Sequence, residues 1–155
     1  MGAKRLSTKS IVFLSIFTFF FIITLVFIMV DADRKVERVL FFPEENGQEL
    51  YGELRRLPVR HNLVGNIELY VDELLLGPES VDLYRLIPTG VKLESILLDD
   101  GTLYLGFSES LVTKAELVPM SFPDIIDGIT KAVVFNFPEV KEVKTTIGGE
   151  PTAGS

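Results

Sequence analysis

The chain of 155 residues contains no cysteine, no tryptophan and a single histidine, His61. Without cysteine there are no disulfides, no thiolate metal sites, no cysteine nucleophile and no lipidated cysteine. With one histidine, a zinc site would have to draw its remaining ligands from carboxylates, and a Ser-His-Asp triad would have to recruit His61 itself. His61 stands between Arg60 and Asn62 in an expected loop, where a lone histidine is ordinarily solvated. Charge is also missing in one place: none occurs from Ser10 to Val30. Of 15 basic residues, Lys4, Arg5 and Lys9 precede that stretch with no acid among them. The other 12 share the remainder of the chain with all 22 acidic residues, for a net charge of −7 overall. A nucleic-acid binder presents an excess of Lys and Arg to phosphate, and the part beyond Val30 does the reverse. Nucleic acid is therefore not an expected partner.

Motifs that carry chemistry are absent as well. No Gly-x-Gly-x-x-Gly or Walker loop occurs, and Gly148-Gly149 reads as a strand end and not as a phosphate cradle. Ser80, Ser95 and Ser108 lack a nucleophile-elbow context. The acidic pairs Asp31/Asp33, Glu44/Glu45, Asp72/Glu73 and Asp99/Asp100 do not follow the Asp-x-Asp-x-Asp-Gly pattern that wraps calcium, and read as linker, turn and solvated faces. Arg55, Arg56 and Arg60 form a small basic cluster. Arg55 and Arg56 point to opposite faces of a strand, which disfavours a shared phosphate site and leaves lipid headgroups or an acidic partner as the alternative use. No catalytic, cofactor-binding or metal-ligating residue is assigned, and the chain is expected to be no enzyme and to use no cofactor.

What is present begins with Ile11 to Val30, 20 residues without charge, Gly or Pro, in which only Ser15, Thr18 and Thr24 are polar. At about 1.5 Å per residue a helix of this length spans roughly 30 Å, the thickness of a hydrocarbon core. The isolated hydroxyls bond back to their own helix backbone at small cost. A cleaved secretory signal is the rival reading. Its apolar stretch is usually about 7–15 residues and ends in a small-x-small site, which Val30-Asp31-Ala32 imitates poorly. An uncleaved transmembrane helix over 11–30 is the expectation. The basic tail 1–10 then lies in the cytoplasm, and a short linker 31–35 leads to an extracytoplasmic part. The protein is thus placed in the cytoplasmic (inner) membrane as a single-pass protein, with Ile11 to Val30 in the bilayer.

Beyond the linker, Val36–Phe42 is β-branched and aromatic, and Pro43 to Gly47 breaks it with an Asn46-Gly47 turn. Glu49–Leu57 alternates, with Leu50, Gly52, Leu54 and Arg56 on one face and Tyr51, Glu53, Arg55 and Leu57 on the other. Asn62–Leu76 changes to helical period, with Ile67, Tyr70 or Val71, Leu74 and Leu75 on one face. Asn66 is the expected cap and Gly77-Pro78 the stop. After an irregular stretch, Val91–Leu98 and Thr102–Ser108 flank Asp99-Asp100-Gly101 as a hairpin. Ser121 and Asp124 open a second helix carrying Ile126, Ile129, Val133 and Phe137, which Pro138 ends. Val140–Ile147 is a last strand, and the small polar residues from Gly148 onward read as unordered. The order β-β-α-β-β-α-β predicts an α+β fold, a mixed sheet with two helices packed on one face, following the transmembrane helix. The domain is placed at 36–150 and a disordered tail at 151–155.

These residues resemble a known module. The pattern runs through Leu40-Phe41-Phe42-Pro43, Leu74-Leu75-Leu76-Gly77-Pro78, and Leu86-Ile87-Pro88-Thr89-Gly90-Val91 into Asp99-Asp100-Gly101. It closes with Ile129 to Val133, Phe137-Pro138-Glu139-Val140, Val143 and Ile147-Gly148-Gly149. This is similar to the GerMN domain of spore-germination and sporulation proteins, over about three-quarters of the chain. The resemblance implies a non-catalytic extracytoplasmic module, related in shape to ring-building modules of envelope secretion and sporulation complexes. In endospore formers such domains support an assembly bridging two membranes. This sequence has one copy instead of a tandem pair, and an apolar helix in place of a lipidated cysteine. What carries over is the module type: an interaction or assembly part of the cell envelope, with envelope proteins or a second copy as partners. A glycan- or peptide-binding module is the alternative, and a hydrolase a weaker one. A flat apolar patch or free sheet edge would favour assembly, a concave aromatic-lined pocket a ligand.

Overall fold

The computed structural model describes residues 8–32 and 34–151. Most of the basic tail, Asp33 of the linker and residues 152–155 lie outside the described residues. The chain divides into two compact units between Lys35 and Val36.

In the first unit, Thr8–Ala32 forms one helix, α1, of 25 residues. The hydroxyls of Thr18 and Thr24 donate to the carbonyls of Leu14 and Phe20, both at 2.9 Å, bonding back to their own helix as anticipated. Many of its large apolar side chains, Phe13, Phe17 and Phe27 among them, are exposed. Among the described residues no helix is long and apolar enough to cross a membrane. The helix takes in all of the uncharged stretch 11–30. The expected transmembrane segment is thus met as a long helix and not as a described span.

The second unit opens with β1 (Lys35–Pro43) and β2 (Leu50–Pro58), paired as a ribbon. Arg56 pairs with Glu37 at 3.2 Å, and Gly52 lies beneath Val39, so numbers rise on one strand as they fall on the other. Alternation buries Leu40 and Phe42 of β1 and Arg55 and Leu57 of β2, and leaves Leu54 and Arg56 outside. Helix α2 (Leu63–Leu76) buries Ile67, Tyr70, Val71 and Leu74. Leu75 is only half-buried, at the margin of the predicted face. The cap is Asn62, whose Oδ1 accepts from the Gly65 amide at 2.7 Å, and not Asn66. Asn62 has the extended backbone a cap requires, whereas Asn66 is already helical and uses its side chain to hold the backbone of Arg60. Gly77, at φ +88°, ends the helix as expected by donating to Glu73 and Leu74.

An irregular connection then buries Leu86 and Ile87. In β3 (Leu93–Asp99) and β4 (Thr102–Phe107), Asp99 pairs with Thr102. The turn is therefore Asp100-Gly101, both at positive φ, the geometry that matches strand twist. A short helix, α3 (Ser110–Thr113), and a 3-10 turn (Ala115–Leu117) precede α4 (Phe122–Asn136). Strand β5 (Glu142–Ile147) runs parallel to β4, and β6 (Glu150–Pro151) antiparallel to β5. The four-stranded mixed sheet, ordered β3-β4-β5-β6, turns Leu103, Leu105, Phe107, Val143 and Thr145 inward. Helix α2 lies against β3 and α4 against β5, and the helices touch each other. Leu97 and Tyr104 are exposed on the outer face.

The α+β class and mixed sheet hold, with three differences. The element order gains α3, the 3-10 turn and β6. Residues 150–151, in the stretch read as unordered from Gly148, pair with β5 because Gly148 and Gly149, both at positive φ, turn the chain back. The strands form two sheets instead of one. The amide and carbonyl of Val39 are both taken by the Asn136 side chain, at 3.0 and 2.7 Å, which closes that edge of β1 to another strand.

Candidate functional site

The ribbon turn builds one wall of a groove. Asn46 accepts from the Gln48 amide at 2.8 Å and donates to Glu44 at 2.7 Å, while the Gly47 amide closes on the Glu44 carbonyl at 3.0 Å. A Cβ on Gly47 would stand 1.4 Å from the Pro119 carbonyl oxygen, so the turn sits directly on the loop preceding α4. Ser121 caps α4, accepting from the Asp124 amide at 3.4 Å and bonding the Asp124 carboxylate. The opposite wall is the α4 ridge Asp124, Asp127, Lys131 and Phe135. The cavity between measures about 660 Å³, with Phe41, Leu50, Met120 and Gly128 as its apolar floor. Gly128 lets α4 approach: a Cβ there would lie 2.8 Å from Leu86 Cδ1 and 3.4 Å from Leu50 Cδ1.

One end of the groove is aromatic. Phe135 is 65% exposed, and its ring meets Phe41 edge-to-face at 5.1 Å. The rim is acidic and partly neutralised. Lys131 Nζ lies 2.6 Å from Asp127, which holds the lysine above its ordinary value. The groove thus combines an apolar floor with a polar rim.

A second constellation lies where β2 meets α2. The Arg55 guanidinium, 8% exposed, contacts Glu53 at 2.5 Å, Glu73 at 3.0 Å, the Gly77 carbonyl at 2.7 Å and Glu79 at 3.7 Å. Burial pushes Glu53 up, but the Ser80 amide, Arg55 and the Glu79 amide together hold it below the usual carboxylate range. Burial likewise lowers Arg55, and the Glu53 and Glu73 bonds more than reverse it. Arg85 meets the Leu75 and Leu76 carbonyls, so two arginines satisfy the C-terminal carbonyls of α2. The Asn136 amide also donates to the Tyr70 hydroxyl at 2.9 Å, which donates to Val39 at 2.8 Å.

The residues weighed in the sequence are scattered. His61 is exposed beside Arg60, Glu68 and Asp72 in a shallow hollow of about 400 Å³. Asp72 is raised there by burial and then by Glu68 and Glu73. No three His, Asp or Glu side chains converge to hold a metal among the described residues. Ser95 flanks Gly106 on the outer sheet face, Ser108 accepts from the Lys92 amide, and the Ser80 amide serves Glu53. Asp99 and Asp100 belong to the hairpin, and Arg55 and Arg56 do face opposite ways. Sequence reasoning missed the groove, Phe135 and Asn136. Asn46-Gly47 and Ser121/Asp124 were visible as local turn and cap signals, but their meeting across the groove is a long-range contact.

A family model described as Germane, sporulation and spore germination, matches residues 39–153. The first GerMN domain of the sporulation protein GerM from Bacillus subtilis is 19% identical, with a TM-score of 0.55 over 76% of this chain and 86% of that one. The tandem GerMN domains of the same protein give 19% identity and a TM-score of 0.54. That match covers 77% of this chain and 41% of the tandem structure, so the chain corresponds to under half its length. No curated protein sequence matches. At such identities the structural likeness speaks for the fold.

Proposed function

Because the chain belongs to the Germane family of sporulation and spore-germination domains, we propose that it is a non-catalytic, membrane-anchored interaction module at the outer face of the cytoplasmic membrane. The observation that carries this reading is the pairing, in one chain, of a family domain over 39–153 with a 25-residue helix that contains the uncharged stretch 11–30. At about 1.5 Å per residue α1 is roughly 37 Å long, and the exposure of its phenylalanines is what a lipid-facing helix requires. Two residues separate the end of α1 from the start of β1. So short a tether keeps a domain near the bilayer, where confinement raises its effective concentration for neighbouring envelope proteins. The groove supports recognition of a partner and has the volume of a ligand pocket. A module binding an envelope glycan or peptide is therefore the second reading.

The test separates attachment from recognition. Replacing residues 11–30 with an unrelated membrane helix should preserve function in cells, because that segment has no small-xxx-small pattern for specific helix packing. Releasing the same domain as a soluble exported protein at equal abundance should impair it. Full function of the released form would make the anchor incidental and favour the ligand-binding reading.

A further inference from the structure

We propose that the groove between the ribbon turn and α4 receives a short extended segment of a partner protein, apolar side chains alternating with basic ones. This rests on the interaction-module reading and adds to it the site and the chemistry of the occupant. The ridge from Asp124 to Phe135 covers 12 residues of α4, 11 helical steps or about 16 Å, the length of about five residues in an extended strand. The floor at Phe41, Leu50 and Gly128 offers no side-chain donor or acceptor. A ligand face pressed against that floor loses its hydrogen bonds to water there, a cost an apolar side chain does not bear, while Asn46, Gln48 and Ser121 also line the groove and can meet the backbone of an extended segment. Phe135, exposed yet set edge-on to Phe41, is a preset aromatic anchor of the kind that dominates binding energy. Charge selects the rest of the occupant. The ridge carries two carboxylates against one ammonium, and that ammonium is already engaged by Asp127. Asp124 has a hydroxyl partner, Ser121. An excess of negative potential on the rim attracts lysine or arginine and repels acidic chains and anionic headgroups.

The experiment uses the full chain in phosphatidylcholine nanodiscs, with empty discs subtracted. The probe is a fluorescein-labelled pentapeptide of sequence lysine-phenylalanine-lysine-leucine-lysine, read by fluorescence anisotropy. Its counterpart has glutamate in place of each lysine. The basic peptide should bind. Asp127→Lys should weaken it about fivefold and Phe135→Ser about tenfold, as expected for a rim charge and an anchor. Lys131→Glu should tighten it. The acidic peptide should bind the wild type poorly and gain affinity for Asp127→Lys. Asp127 and Lys131 are exposed and outside the core, so these two variants keep the test sound if Phe135→Ser unfolds. Equal binding of both peptides, or indifference to all three variants, overturns the proposal. Loss of binding on Tyr104→Ser together with indifference to the groove variants moves the site to the outer sheet face and leaves the module reading intact. Failure of the basic peptide while a neutral N-acetylglucosamine oligomer binds overturns the peptide proposal and the protein-interaction reading together.

Discussion

Arg55 shows how one side chain joins local and long-range structure. It leaves β2 on the inward face, beside the ring of Phe42, and meets Glu53 from its own strand and Glu73 from α2. Glu53, 15% exposed, also accepts from the Glu79 and Ser80 amides, so the irregular connection is tied to the same centre. Truncating a buried guanidinium leaves these carboxylates uncompensated, and Arg55→Met should cost about 3 kcal/mol at pH 7. The pH dependence follows from Glu53. A carboxyl lowered in the folded state contributes stability above its unfolded value, about 4.3, and loses it as pH falls through the folded value. The gap between wild type and Arg55→Met should therefore narrow below about pH 4, as measured by urea midpoints at pH 7 and pH 3. A gap unchanged by acid would mean that Arg55 acts through packing alone. Gly106 makes a steric point at the same scale. Its missing Cβ is replaced in space by Ser95 Oγ, 2.1 Å from where that atom would sit.

At the level of elements, α2 and α4 were legible because apolar residues recur at helical spacing, but the faces they bury are rotated slightly from those expected. In α4 the buried set is Ile125, Gly128, Ile129, Ala132, Val133 and Asn136, while Ile126 is only half-buried. A glycine and an asparagine inside a core face cannot be anticipated from hydropathy. Gly128 is there because Leu86 and Leu50 need the room, and Asn136 because the free edge of β1 needs a partner. In α2 the rotation has a measurable consequence. Leu74 is wholly buried, Leu75 sits at the margin and Leu76 is 67% exposed. In a fragment beginning at Val36, Leu74→Ala should destabilise by about 2–5 kcal/mol. Leu75→Ala should cost less than half of that, read from denaturant midpoints at constant slope. Equal losses would place both side chains in the core and shift the helix about its axis.

On the scale of the whole molecule, the proposal commits the family domain to the far side of the membrane from Lys4, Arg5 and Lys9. With no native cysteine, Val81→Cys supplies one label at a position 95% exposed. A membrane-impermeant maleimide should modify it in cells with an intact cytoplasmic membrane, and labelling only after lysis would reverse the orientation. The features written locally were readable in advance. The uncharged stretch is contiguous, strand and helix periods repeat within each element, and the turns at Asn46-Gly47, Gly77-Pro78 and Asp100-Gly101 depend on backbone freedom at single positions. The order of such signals also carried the family resemblance. Tertiary structure decided the rest, because it depends on which distant residues meet. Asn136 lies 97 positions from Val39, yet its amide is what ends the ribbon as a separate sheet. The groove exists because Gly47 rests on Pro119 and Phe135 stands over Phe41, contacts between residues more than 70 positions apart. Periodicity and composition describe a residue against its near neighbours along the chain, and only packing brings these pairs together.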